Sequence, residues 1–160
     1  MELKGYLGDT LKYNDKANRQ VLEKTKVLPD KVEAIKLFSH LINCQYKWMA
    51  RIAQDPLSQE MDWWNPVYEI NQLESKWKNS LDLWLDYIDL KSESEILTEV
   101  TFIGFDGELY AATPWDIALQ LNYHSIHHRA QIQTIIRQQG FTPDFIDYIG
   151  TKYRKLTQHK

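Results

Sequence analysis

Apolar positions recur at three- and four-residue steps along four long stretches, the period of a helix with one buried face. In the first, Leu11, Asn14, Asn18, Val21 and Leu22 mark a helix over about 11–28, stopped by Pro29. The second carries Leu37, Leu41, Cys44, Trp48 and Ile52 and runs to about residue 54. Asp30 with Glu33 three residues on gives it the pattern of a capping box. Ile70, Leu73, Trp77, Leu81, Trp84 and Ile88 predict a third helix to about residue 90, with Pro66 suited to its first position. The last begins with Thr113 as N-cap and Pro114 behind it, and its seam reads Ile117, Leu121, His124, His128, Gln131 and Ile135 up to Gly140.

Two stretches break the period. Residues 55–65, with Pro56, Ser58 and the Trp63-Trp64 pair, predict a loop capped by its own aromatics. Residues 99–112 alternate instead, and Phe105-Asp106-Gly107-Glu108 between β-prone residues is a hairpin signal. Pro143 and Asp144 open one further short helix to about residue 153, before a polar tail. Four long helices with a long connection before the last predict an all-α four-helix bundle whose crossover carries a short β-hairpin. Residues 1–160 show no repeat or linker and read as a single domain.

Composition narrows the class. A hydrophobic fraction of 43% with six tryptophans and nine tyrosines excludes disorder. No apolar run approaches the ~20 residues of a membrane helix. The N-terminus lacks the basic-then-apolar order of a secretory signal, and one cysteine allows no internal disulfide, so a cytoplasmic location is expected. A net charge of -3 gives no general attraction to phosphate backbones, although the last ten residues are locally basic; no nucleic-acid partner is expected.

The chemistry sits on the last helix. His124 and His128 stand four apart, on one face, where both rings can turn a nitrogen toward one metal ion or join a polar layer with Asn18 or Gln131. His127 lies roughly 100° around the helix from His128 and should face away. On the second helix His40, beside Leu41, can reach the bundle interior, and Cys44 one turn later reads as a small hydrophobe. Arg129 suits either a substrate-orienting role or an ordinary surface ion pair. His159 reads as peripheral, and Trp48, Trp77 and Trp84 as core. No glutamate is followed by histidine three residues later, which excludes the ferritin-like di-iron carboxylate site.

Taken together, Tyr13-Asn14 with Ala17-Asn18, His40-Leu41 with Trp48 and Arg51, and His124-x-x-x-His128-Arg129-Ala130-Gln131 with Gly140 resemble the DinB-like (DinB/YfiT) metal-binding four-helix bundles over nearly the whole chain. Ala130 stands where glycine is common and Tyr123 where asparagine often precedes the first histidine of the pair. The resemblance implies an up-down-down-up bundle with one divalent ion on three histidines, here His40, His124 and His128. Three nitrogen ligands with an open position suit zinc or nickel. Relatives in the wider superfamily include thiol-dependent S-transferases and maleylpyruvate isomerase. The function implied is therefore metal-dependent S-transfer or isomerisation, using a low-molecular-weight thiol and an electrophilic substrate. The alternative is a non-catalytic metal-binding module of the stress or DNA-damage response. No separate catalytic acid or base stands out. A homodimer is expected from the family's habit of pairing helices between protomers and from the exposed aromatic surface anticipated at Trp63-Trp64.

Overall fold

Four long helices form in this computed structural model, which describes residues 2–154: α1 (Leu3–Lys26), α2 (Val32–Ile52), α3 (Leu73–Leu90) and α5 (Pro114–Gln138). His159 lies outside the described residues. α1 packs against α3 and α5, and α2 against the same two, so α1 and α2 sit diagonally across the bundle. The direction of each helix follows from the two apolar clusters that fill the interior. One gathers Val21 and Leu22 of α1, Phe38 and Leu41 of α2, Leu73 and Trp77 of α3, and Ile132 and Ile136 of α5. The other gathers Leu7 and Leu11, then Ile52, then Trp84 and Ile88, then Ile117 and Leu121. α1 and α5 therefore run from the second cluster to the first, and α2 and α3 run the opposite way. This is the up-down-down-up order.

α1 starts two turns earlier than the sequence pattern predicts. Leu7 is fully buried and continues the stripe through Leu11, Asn14 and Asn18, which outweighs the weak helix propensity of Gly5 and Gly8. Asp30 does not form the expected cap. Its Oδ1 accepts from Val32 N at 3.1 Å in a tight turn, and α2 begins on Lys31 without a side-chain cap.

The largest departure is Pro66, which opens no helix. Residues 66–72 are tied to α2 through side chains instead: Asn43 Nδ2 donates to Pro66 O at 3.1 Å, and Tyr68 N donates to Ser39 Oγ at 3.0 Å. Those groups satisfy the backbone outside a helix, and α3 starts only at Leu73. Its seam of Leu73, Trp77, Leu81, Trp84 and Ile88 is buried as expected.

The crossover holds a single turn α4 (Glu93–Ile96), missed from its polar sequence, which Ser92 and Glu95 close with a capping box. Then β1 (Val100–Ile103) pairs antiparallel with β2 (Leu109–Ala112), Val100 opposite Ala112, and Gly107 takes a positive φ of 84° in the turn. The hairpin is moored to the end of α2: Arg51 Nη2 and Gln54 Nε2 donate to Ile103 O and Thr101 O, both at 2.9 Å. Thr113 Oγ1 accepts from Asp116 N at 3.0 Å, so α5 has the cap read from sequence. Past α5 the expected helix shrinks to one 3₁₀ turn, Tyr148–Thr151. No helix among the described residues is long and apolar enough to cross a membrane.

Between the two apolar clusters lies a polar layer, and Arg129 is its centre. The expectation of a surface ion pair is wrong here: Arg129 is only 2% exposed. Its Nη1 donates to Asn14 Oδ1, to Asn18 Oδ1 at 3.3 Å and to Ser125 Oγ at 3.1 Å, and the guanidinium lies 5.4 Å from the Tyr13 ring centroid. Neutral oxygens from α1 thus hold a cation on α5. Removing one of them leaves buried donors unmatched, at about 1–3 kcal/mol for such a group. Asn18→Ala is therefore expected to lower the unfolding free energy by about 2 kcal/mol, read as a shifted denaturant midpoint with an unchanged slope.

Candidate metal centre

α2 and α5 bring three imidazoles to one point in the polar layer. His40 and His128 are each 6% exposed and His124 is half-buried. His40 Nε2 lies 3.2 Å from His124 Nε2, which lies 2.8 Å from His128 Nε2. Ligand nitrogens around a tetrahedral zinc stand about 3.3 Å apart, given zinc to nitrogen distances near 2.0–2.1 Å. The His40–His124 separation is close to that value, and the His124–His128 separation is shorter.

The outer ring nitrogens are already committed. His40 Nδ1 meets Trp63 O at 2.7 Å, and His128 Nδ1 meets Gln131 Oε1 at 2.6 Å. A carbonyl oxygen only accepts, so both Nδ1 atoms carry the proton and both Nε2 atoms of the neutral rings are bare lone pairs. They face the same His124 Nε2, which has room for one hydrogen. At least one of the two contacts then sets lone pair against lone pair. A cation at that point removes the conflict, so the residues fit a divalent metal.

Charge state agrees with ligation, because a metal takes neutral imidazole. Burial pushes all three histidines below the ordinary value. His124 falls furthest, to about 4, by burial and then by its neighbours His128 and His40. Trp64 stacks on His40 with centroids 3.8 Å apart and planes 10° apart, which fixes that ring.

Cys44 complicates the ligand set. His40, Cys44 and His124 offer atoms within 4.8 Å of one another, close enough to hold a metal ion, and Cys44 Sγ is 3.6 Å from His40 Nε2. Without a metal, burial pushes its thiol up to about 12, so Cys44 is a protonated core thiol in the metal-free protein.

His127 is exposed on the outer face of α5, as its place on the helix predicts. Gln131 is corrected: it is exposed on the rim rather than part of the buried seam, and only its side-chain oxygen reaches in to His128. The true seam runs through Leu121, Ser125, His128, Ile132 and Ile136, one residue on from the predicted one at His124, Gln131 and Ile135, and His124 is half-buried beside it. Trp63 and Trp64 are also corrected, since they do not simply cap their own loop. One supplies a carbonyl to His40 and the other a ring, and neither role has a signature in residue type.

A sequence profile described as the DinB family matches residues 4–159, nearly the whole chain. The chain belongs to the DinB family. Comparison with curated proteins and with solved structures finds no significant match. Family membership and the clustered ligand atoms together make this a DinB-family bundle with a possible three-residue metal site.

The depressed histidines set an acid limit on the metal-free protein. Their folded pKa values lie below the unfolded 6.5, so the unfolded chain takes up protons that the fold resists. Stability is complete above pH 6.5 and declines as pH falls toward 4. Thermal melts of chelator-treated protein should show a falling midpoint across that window, and a smaller fall in His124→Ala.

Proposed function

We propose that the chain holds one divalent ion, zinc or nickel, on His40, His124 and His128, and acts as a metal-dependent thiol S-transferase or isomerase with a low-molecular-weight thiol. The observation that carries this reading is the approach of His124 Nε2 to the Nε2 atoms of both His40 and His128, whose Nδ1 atoms each meet a carbonyl oxygen. An ion on three neutral nitrogens keeps a position open and supplies Lewis acidity, enough to hold a thiol as thiolate or polarise a carbonyl. The chain's own part is orientation. Trp63 O and Gln131 Oε1 lock the tautomers and raise the basicity of His40 and His128, and Trp64 closes one side of the His40 ring to water. Cys44 stays a protonated core thiol outside the ligand set.

Elemental analysis of four variants separates this set from one containing Cys44. His40→Ala and His128→Ala should drop from about one ion per chain to background while remaining folded, because the apolar clusters drive folding. His127→Ala and Cys44→Ala should keep full occupancy. Metal lost on Cys44→Ala and kept on His128→Ala would reassign the third ligand.

Activity is tested separately by offering metal-loaded protein glutathione, bacillithiol, mycothiol or coenzyme A with an electrophilic acceptor. Turnover with one thiol, lost in His124→Ala, is the expected result. Metal-dependent melting with no turnover for any thiol would favour the non-catalytic module.

A further inference from the structure

One turn beyond Cys44, the same face of α2 carries two cations that the metal centre does not use. Lys47 and Arg51 stand four apart and are 6% and 8% exposed. No carboxylate oxygen among the described residues lies within 4.0 Å of either. Aromatic faces surround them instead. Lys47 Nζ is 4.6 Å from the Trp63 centroid, and the Arg51 guanidinium is 4.7, 5.0 and 4.9 Å from those of Trp48, Trp63 and Phe102.

Each cation also has one neutral partner. Lys47 donates to Met61 O, and Arg51 Nη2 donates to Ile103 O at 2.9 Å. The remaining guanidinium N–H groups have no protein partner among the described residues, and none is sealed from solvent. Both side chains line a pocket of about 310 Å³ between α2, the Trp63 loop and the hairpin turn. Asp62 acts on Lys47 from beyond 4.0 Å, but burial and the charge of Arg51 both weigh against the Lys47 ammonium, and an anion between the two cations would relieve the repulsion and the lost hydration.

We propose that this pocket is a binding site for a small organic carboxylate, with Arg51 and Lys47 gripping the charge and the Trp63 and Phe105 side chains of its wall taking the carbon skeleton. The free fork of a guanidinium matches a planar carboxylate. Phosphate sites commonly add backbone N–H donors from a glycine turn. Here Gly104 and Gly107 line the pocket, but Gly104 N is spent on Glu108 O at 2.8 Å and Gly107 N on Gly104 O at 3.3 Å. The charged donors left are those of the two cations, with the Gln59 amide and the Trp63 indole also on the pocket wall. The site lies on different residues from the three histidines and stands without the metal reading.

Benzoate is the direct probe, because it joins a carboxylate to a flat apolar ring. Titrated into the full chain, it should shift the Trp63 indole N–H resonance saturably in the millimolar range, and Lys47→Met or Arg51→Met should weaken binding about tenfold or more. Arg51→Lys, which keeps the charge and loses the fork, should retain part of it. The same titration on His124→Ala must give the wild-type affinity, since a carboxylate held by a metal would vanish there. No saturable shift in the wild-type protein, loss of binding in His124→Ala, or saturation by inorganic phosphate without benzoate would each overturn the proposal.

Discussion

Bare imidazole nitrogens cannot face one another in a buried layer unless a proton or a cation lies between them. His40, His124 and His128 are held in that relation by groups outside the triad: a loop carbonyl, a side-chain amide and a stacked indole. The loop over 55–65 folds back on α2, and residues 66–72 follow it there instead of forming the first turns of α3. The loop supplies the Trp63 carbonyl to His40, and Asn43 and Ser39 tie down Pro66 and Tyr68 just after it.

The polar layer also divides the interior. Apolar clusters above and below it give the bundle its stability, while Arg129 and its neutral oxygens from α1 lock α5 in rotation and in height against that helix. His124 and His128 flank Ser125 on the same turns of α5, so whatever sets Arg129 also sets the two rings. A buried arginine without a carboxylate is costly as a stabilising device. It makes physical sense as a fixture for the helix that carries two of the three imidazoles.

Much of this was readable from residue order. The four-helix period, the Thr113-Pro114 start of α5, the Asp106-Gly107 turn and the outward face of His127 all follow from local rules, and the structure agrees with each. What failed was set by distant partners. Pro66 has the chemistry of a helix start, but Asn43 takes its carbonyl. Arg129 looks like any surface cation until Asn14 and Asn18 arrive from the other end of the chain. The seam drawn through Gln131 drifted because a strict four-three pattern slips relative to a straight helix. Trp63 contributes a backbone oxygen, which no residue type announces, and the withdrawn Lys47 and Arg51 are visible only once the hairpin has folded over them.

The proposed ligand set is three imidazole nitrogens without the neighbouring thiol. X-ray absorption spectroscopy of zinc-loaded protein tests it without mutation, because nitrogen and sulfur ligands differ in both distance and scattering. Three imidazole ligands would give nitrogen and oxygen neighbours only, at about 2.0–2.1 Å, with the more distant scattering of three imidazole rings. A sulfur at about 2.3 Å would contradict that set and place Cys44 on the metal.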